Sequence, residues 1–275
     1  MEKKINQILQ YLQKKRGFDF KGNRPSMLQR RISQRLISTN SGTFEKYYDY
    51  LLSNPKEMIE LINVLTINVS SFFRDPFTFE YLEKILIGLI IEKAQNNTQL
   101  RIWSAGCATG EEPYSVALLI SRILDNKHKD INLNYEIFAT DIDKHALESA
   151  KKGIYYYESI KNVKFENLKE NFEHHDLKYE LKREIKNKVV FSIYDLLDKK
   201  STTLPISIYG NFDVVLCRNV LIYFNKNYQR QINEKLYNSL TKKGYLILGE
   251  AETIEQDYVN NFEHVSKYGK IFRKM

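Results

Sequence analysis

The sequence is poor in the residues that would mark several classes of protein. Its two cysteines, Cys107 and Cys217, give no disulfide framework, so a reducing cytoplasmic environment is expected. None of the five histidines falls in a pattern of metal-ligand spacing, and we predict no metal site. The most apolar run, residues 85–91, is far shorter than the roughly 20 residues of a membrane span. The charged N-terminus lacks the pattern of a secretory signal, so we expect a globular chain without direct membrane insertion.

Acidic residues are scarce at the start of the chain. Residues 1–40 contain ten lysines or arginines and two acids, which accounts for the whole net charge of +8. Apolar residues recur at helical spacing through this region, with interruptions at Gly17, Gly42 and Pro55. We therefore predict a basic helical N-terminal domain over residues 1–76. Its charge suits an acidic partner, which could be nucleic acid, a membrane surface or a Glu-rich protein.

The segment Leu100–Ser115 reads L-R-I-W-S-A-G-C-A-T-G-E-E-P-Y-S. A β-favouring run leads into Gly106 and Gly110, and an amphipathic helical pattern follows; such glycines let a nucleotide approach the backbone. The segment lacks the lysine of a P-loop, and Glu111 and Glu112 at the helix start would repel a pyrophosphate. The pattern fits a ligand with a positive group, such as S-adenosylmethionine held near Gly106. It fits equally an ordinary tight connection with an acidic first helical turn.

Strand and helix patterns alternate from residue 100 onward. This alternation predicts an α/β fold with a parallel sheet and helices on both faces. A linker helix at residues 77–95 precedes this domain, which we assign to residues 96–275. The alternation breaks at about residues 154–188, where we predict an inserted small β subdomain. The sheet strands are expected at residues 100–105, 135–140, 189–193, 212–217 and 245–249, with a final hairpin within 262–273.

Polar residues follow the predicted strands, where parallel sheets bind ligands. Asp141, after the second strand, can accept both ribose hydroxyls of an adenosine ligand or can cap the next helix. Asp195 can bind the adenine amino group or shape a turn. Arg218 and Asn219, after the fourth strand, can hold a polar group of the ligand or form a turn. The sequence alone leaves each of these alternatives open.

Four segments, taken in order, resemble the chemotaxis receptor methyltransferases of the CheR family. They are N-V-S-S-F-F-R at residues 68–74, W-S-A-G-C-A-T-G-E-E-P-Y-S at 103–115, A-T-D-I-D at 139–143 and C-R-N-V-L-I-Y-F at 217–224. Four such segments in order are specific. The resemblance implies a Rossmann-like S-adenosylmethionine-dependent methyltransferase sheet with a small all-α N-terminal domain. It also implies methyl esterification of glutamates on the acidic helical cytoplasmic domain of chemoreceptors, with S-adenosylhomocysteine as the product.

The resemblance also implies a set of cofactor contacts. Ser70 stands where the family often has threonine, which keeps the hydroxyl, and Asn225 stands where aspartate is frequent. Residues 154–209 contain no glycine, whereas family members that dock on a receptor C-terminal pentapeptide carry glycines there, which argues against such a tether. The residues carried over by motif are Asn68, Ser70, Arg74, Glu111, Asp141, Asp195, Leu196, Arg218 and Asn219.

The chemistry of the acceptor indicates what further groups are needed. A glutamate γ-carboxylate is already ionised at neutral pH and needs no general base. It needs desolvation and in-line alignment with the donor methyl group. We therefore predict that Tyr223 orients the carboxylate through its hydroxyl, the alternative being a core tyrosine. We assign Arg74 to the cofactor carboxylate or the edge of the site, the alternative being a surface arginine; these two are the candidate catalytic residues.

The basic N-terminal segment supplies candidates for substrate binding. Arg30, Arg31 and Arg35 could hold the acidic receptor helix or could form a solvated helix face. The same basic segment would suit a nucleic-acid methyltransferase. Against that alternative, Arg218 and Asn219 are followed by V-L-I-Y and not by the Pro-Pro-Tyr that amino-methylating enzymes use, so we expect no nucleic-acid partner. An inactive scaffold that senses the cofactor is the third alternative.

Overall fold

The computed structural model describes residues 2–18, 20, 25–65, 70–127, 131–198 and 210–275. The chain forms two compact units. One consists of Met1–Val69 with Leu221–Gln231, and the other of Ser70–Val220 with Ile232–Met275. No helix within the described ranges is both long and apolar enough to cross a membrane.

The first unit is built of helices, as the periodicity of its sequence predicted. Its N-terminal part consists, where it is described, of α1 (Glu2–Arg16), α2 (Pro25–Ser38), α3 (Phe44–Ser53) and α4 (Pro55–Leu65). The hydroxyl of Thr43 caps α3 by accepting a hydrogen bond from the N–H of Lys46 at 3.3 Å. Gly17 follows α1 with a φ of +71°. The apolar helix faces share a core that includes Ile8, Leu12, Ile32, Leu51, Leu61 and Leu65.

The second unit alternates strands and helices. Helix α11 (Lys226–Ser239) begins in the first unit and continues into the second. The described elements are α5 (Pro76–Gln95), β1 (Leu100–Ala105), α6 (Glu111–Lys127), β2 (Tyr135–Asp141), α7 (Lys144–Lys152), β3 (Ile154–Tyr156), α8 (Tyr157–Ile160), α9 (Phe165–Asn171), β4 (Phe172–His175), β5 (Lys178–Leu181), α10 (Arg183–Lys186), β6 (Val189–Ile193), β7 (Phe212–Cys217), α11 (Lys226–Ser239), β8 (Leu240–Leu248), α12 (Gln256–Val259), β9 (Phe262–His264) and β10 (Ile271–Lys274).

The central sheet has the predicted parallel arrangement. Among the described strands its order is β6-β2-β1-β7-β8-β10-β9; neighbours from β6 to β8 pair in parallel, and β10 pairs antiparallel with both β8 and β9. The chain builds outward from β1 through β2 to β6, then crosses to β7 on the other side of β1. The strand order therefore reverses between β1 and β7, and ligands of such sheets bind at this switch point, beyond the carboxyl ends of the strands. This confirms the Rossmann-like α/β fold.

The segment after α7 forms the predicted β insertion. Strands β3, β5 and β4 make a separate antiparallel sheet of three described strands, with β5 in the centre. Tyr155 on β3 and Phe172 on β4 are buried, and the ring of each packs edge-on against Phe72. The insertion is thus joined to the core of the second unit through these rings.

Candidate cofactor site

The turn after β1 brings backbone to the carboxyl end of the sheet. Gly106 and Gly110 have φ angles of +76° and +91°, in the region that favours glycine. A Cβ atom added at Gly106 would lie 2.4 Å from Cγ2 of Val220, which follows β7. The first position of the turn therefore has no room for a side chain, and the ends of β1 and β7 are in close contact at the switch point.

Asp141 ends β2, and its carboxylate contacts this glycine turn. One oxygen accepts a hydrogen bond from the N–H of Ala108 at 2.8 Å, and the other accepts one from the N–H of Asp143 at 2.9 Å. Burial raises the pKa of this carboxyl, and the N–H donors oppose the rise. Asp143 caps α7 by accepting from the N–H of His145 at 2.8 Å. The N-cap role that the sequence left open thus belongs to Asp143, and the ribose contact of Asp141 stays a prediction.

Two carboxylates begin α6. Thr109 Oγ1 donates a hydrogen bond to Glu111 at 2.7 Å, and Ser104 Oγ donates one to Glu112 at 2.8 Å. Burial raises the pKa of both carboxyls. Hydrogen bonds to Glu111, including one from the side chain of Ser70, oppose this rise. Two predicted cofactor contacts, Ser70 and Glu111, therefore lie together.

Arg218 follows β7, and its side chain is 3% exposed. The guanidinium pairs with Asp75 at 2.5 Å and with Glu112 at 3.4 Å, and it donates to the carbonyl of Arg74 at 2.9 Å. It also lies 5.3 Å from the ring centroid of Phe79. These contacts join the end of β7 to the start of α6 and to the segment before α5. A direct contact of Arg218 with the cofactor stays a prediction, but the guanidinium already has these internal partners.

The segment before α5 is anchored by a buried aromatic side chain. Phe72 is fully buried, and its ring centroid lies 4.8 Å from that of Tyr155 in an edge-on contact. This packing holds the flanking Ser70 and Arg74 on the second unit. The predicted contact Asn68 lies outside the described residues.

Asp195 and Leu196 form a turn after β6. The carboxylate of Asp195 accepts a hydrogen bond from the N–H of Leu197 at 3.0 Å, so it does shape its own turn. Leu196 is buried. The Nζ of Lys235 on α11 donates to the carbonyl of Asp198 at 2.7 Å and fixes the far end of the turn. Binding of adenine by Asp195 stays a prediction.

Asn219 holds the turn after β7 in an uncommon conformation. Its φ is +59°, which asparagine tolerates better than most residues. The N–H groups of Asn219 and Val220 donate to the carboxylate of Glu252 at 2.9 and 2.7 Å. Glu252 was not predicted from the sequence, although it is an acidic residue shortly after a strand, as Asp141 is at the end of one. Its position shortly after a strand was the signal in the sequence that could have identified it as a site residue.

The strand ends carry an excess of buried negative charge. Glu111, Glu112 and Glu252 are buried or nearly so. Burial also raises the pKa of the Asp141 carboxyl. Arg218 supplies positive charge to this cluster of four acidic residues through its contact with Glu112. Buried charge is costly unless it is compensated. The region therefore fits a ligand that carries positive charge, and the ammonium and sulfonium groups of S-adenosylmethionine meet that requirement. The glycine turn beside the carboxylates provides the close backbone approach that such a ligand needs.

Tyr223 belongs to the first unit. It lies in a short 3-10 helix, Leu221–Tyr223, and packs with Phe224 against the helical core. Phe224 pairs with Phe18 in an isolated antiparallel bridge, with ring centroids 4.7 Å apart. These contacts fix the backbone next to Tyr223. Its role in orienting the acceptor stays a prediction.

The three predicted receptor-binding arginines differ in their surroundings. Arg31 donates to the carbonyl of Val64 at 2.8 Å, and Arg35 forms a bidentate pair with the buried carboxylate of Glu57 at 3.0 and 2.6 Å. Arg30 is exposed on α2. The guanidinium groups of Arg31 and Arg35 are thus bound within the helical unit, which sequence spacing could not reveal.

Comparison with known proteins agrees with this geometry. Residues 68–270 match the family described as the CheR methyltransferase SAM binding domain, and residues 3–66 match its all-alpha domain. The chain is 30% identical over 266 residues to the chemotaxis protein methyltransferase of Borreliella burgdorferi, covering 95% of this chain and 91% of that protein. It is 31% identical over 270 residues to the chemotaxis protein methyltransferase of Escherichia coli, covering 96% and 86%.

The sheet carries a glycine turn and buried carboxylates at its switch point. Most of the chain also matches a SAM-binding family, so the protein is an S-adenosylmethionine-dependent methyltransferase. Within that class, the chain belongs to the CheR family of chemotaxis protein methyltransferases. Among solved structures, it is similar over 64% of its length to a TehB-like SAM-dependent methyltransferase from Corynebacterium glutamicum, with 12% identity and a TM-score of 0.36, covering 78% of that chain.

Proposed function

We propose that the protein transfers a methyl group from S-adenosylmethionine to glutamate side chains of chemotaxis receptors, forming γ-methyl esters on their acidic helical cytoplasmic domain. The proposal rests on the family match, which extends through both units from residue 3 to residue 270. Relatives that align with nearly the whole chain carry the name chemotaxis protein methyltransferase. Because the receptor domain is cytoplasmic, we propose the same location for the enzyme.

The residues at the strand ends have the chemistry to hold this cofactor. Asp141 would accept the ribose hydroxyls and Asp195 the adenine amino group, while Glu111 would accept from the ammonium group. Arg74 would bind the cofactor carboxylate. When bound, the cofactor supplies an electrophilic methyl group on a positively charged sulfur. The excess of buried carboxylates supports the binding of such a cation.

The acceptor requires little acid-base chemistry. A glutamate carboxylate is ionised at neutral pH, so no side chain has to remove a proton. The enzyme has to strip water from the carboxylate and to align one oxygen with the methyl group. We assign this orientation to the hydroxyl of Tyr223. A neutral hydroxyl donor would lower the nucleophilicity of the oxygen less than a guanidinium pair would.

The proposal is tested by methyl transfer from tritiated S-adenosylmethionine. We expect label to enter an acidic helical receptor fragment and to be released as methanol in alkali, because esters hydrolyse there and N-methyl groups do not. A fragment with glutamines in place of the exposed glutamates is the control. Label on DNA or RNA would support the nucleic-acid alternative. Binding of the cofactor without transfer to any of these would support the inactive scaffold.

The same assay tests the role of the Tyr223 hydroxyl with the variant Tyr223→Phe. It keeps the ring that packs on the helical core but removes the hydroxyl. We expect turnover to fall by roughly 100-fold through loss of orientation, with the affinity for S-adenosylhomocysteine nearly unchanged. A loss of cofactor affinity instead would show that Tyr223 binds the cofactor.

Arg30 is the residue of choice for testing receptor binding. Charge reversal at Arg31 or Arg35 would break bonds within the helical unit, whereas Arg30 is exposed. We expect Arg30→Glu to raise the Michaelis constant for the receptor fragment several-fold and to weaken its salt dependence, with the turnover number unchanged. Lys46→Glu, an equal charge change at an exposed position of α3, is the control. Equal effects of both variants would indicate a general charge effect and not a receptor contact at α2.

A further inference from the structure

Glu252 lies after β8 and is 3% exposed. Its carboxylate accepts hydrogen bonds from three backbone N–H groups, those of Asn219 at 2.9 Å, Val220 at 2.7 Å and Gly249 at 2.6 Å. Two of these donors follow β7 and the third follows β8. One buried carboxylate therefore ties together the turns at the ends of two neighbouring strands.

The three donors explain why a carboxylate can be buried here. An isolated ionised carboxylate is strongly disfavoured away from water, whereas charge-assisted hydrogen bonds from backbone N–H groups stabilise it. The close packing depends on Gly249. A Cβ atom added there would lie 2.8 Å from the backbone nitrogen of Asn219 and 2.8 Å from Oε2 of Glu252. The two turns are thus in contact through backbone, with Glu252 between them.

The β7 turn is the one that carries predicted cofactor contacts. Asn219 has a φ of +59°. The successive N–H groups of Asn219 and Val220 form an anion-binding nest that holds the carboxylate of Glu252. Val220 also packs over Gly106, where an added Cβ would lie 2.4 Å from its methyl group. The conformation that Glu252 stabilises therefore sets the position of Asn219 and the spacing between the β1 and β7 turns.

We propose that Glu252 is a positioning residue for the cofactor site: its carboxylate holds the Asn219–Val220 turn in the shape that binds S-adenosylmethionine. This inference rests on the proposed function, because it assumes that the turn contacts the cofactor. Glu252 acts through the backbone of the turn and makes no contribution to the transfer step itself.

The test compares Glu252→Gln with Glu250→Gln. Glu250 is an exposed residue of the same loop, so both variants lose one negative charge within three residues. Glutamine directs an NH₂ group at one or more of the N–H donors, which repels them. We expect Glu252→Gln to weaken S-adenosylhomocysteine binding in calorimetry by about 10-fold or more and to raise the Michaelis constant for the donor, with that for the receptor fragment unchanged. Glu250→Gln should match the wild-type protein.

Hydrogen exchange separates positioning from general stability. We expect faster amide exchange in the peptide that contains residues 218–221 of Glu252→Gln, with unchanged exchange in the strand segments of β1 and β2. If Glu252→Gln does not fold, Gly249→Ala takes its place, because its Cβ would press on both Asn219 and Oε2 of Glu252 and so displace the carboxylate from the turn without removing its charge. Affinity equal to wild type in a folded variant, or a loss matched by faster exchange across the whole sheet, would overturn the inference. Failure of the wild-type protein to bind the cofactor would instead contradict the proposed function.

Discussion

Replacing Arg218 with methionine is expected to lower the free energy of unfolding by about 3–5 kcal/mol. The guanidinium is almost fully buried and pairs with Asp75 and Glu112, so its removal leaves two carboxylates without their cation. Urea denaturation would measure the loss. Arg122→Met is the matched control, because Arg122 pairs with Glu83 at 2.7 Å but both side chains are more exposed. That variant should cost about 1 kcal/mol or less.

The pH dependence of the Arg218→Met variant provides a specific signature. Burial raises the pKa of the Glu112 carboxyl, and the charge of Arg218 opposes the rise, so the pKa should rise further without Arg218. A folded-state pKa above the unfolded value means that the folded protein loses stability as pH rises through the interval between the two values. The loss should therefore be larger near pH 8 than near pH 5, and Glu112→Gln should recover part of it. A loss independent of pH and of Glu112 would contradict the assignment.

Buried parallel strands are the part of the fold that the sequence specifies best. The bounds predicted for β1, β6 and β7 agree with the structure, because these strands are largely apolar, β-favouring runs that end at polar turns. The acids and glycines at the predicted site follow from the same rule. Once the strands are parallel, their carboxyl ends share one edge, so the glycine turn after β1 and Asp141 at the end of β2 are brought together by topology.

Strand β8 shows where pattern alone fails. The sequence favours a strand from residue 245 to 249, because Gly244 resembles the end of a helix. In the structure β8 begins earlier, at Leu240, and Gly244 lies inside it. A Cβ atom at Gly244 would lie 3.0 Å from the carbonyl oxygen of Phe212, close to a register shift in the pairing with β7. This glycine serves close backbone approach at a bulge and not chain reversal.

Pairings between distant residues were not predictable from one sequence. Arg218 and Asp75 are 143 residues apart, and Glu252 lies 33 residues from Asn219. Helical and strand periods relate only near neighbours, so they assign Arg218 to a strand end without naming its partners. For the same reason, the spacing of Arg31 and Arg35 on α2 suggested an exposed basic stripe, whereas α4 supplies their internal acceptors. Motif position predicts where the site lies, and tertiary packing decides which polar groups are available there.

Asp141→Asn is expected to have the largest effect on cofactor affinity. The carboxylate contacts the glycine turn through the N–H of Ala108 and would accept the ribose hydroxyls as well. Asparagine removes the negative charge and places an NH₂ group opposite one of two N–H donors. The variant would weaken the two charge-assisted hydrogen bonds from the ribose hydroxyls, each worth about 1.5–3 kcal/mol. We therefore expect the dissociation constant of S-adenosylhomocysteine, measured by calorimetry, to rise roughly 100-fold or more.

Asp143→Asn separates this effect from a general disturbance of the loop. Asp143 lies two residues further on and caps α7, a role in which asparagine is nearly equivalent to aspartate. The same change in charge and shape at Asp143 should therefore leave both affinity and thermal stability close to wild type. Equal losses at the two positions would mean that the loop tolerates neither change, and that the affinity reports its folding. A large loss at Asp141 alone, in a variant that melts near the wild-type temperature, would support binding of the ribose hydroxyls by its carboxylate. A loss that came only from disturbance of the loop around the N–H groups of Ala108 and Asp143 would also lower the melting temperature.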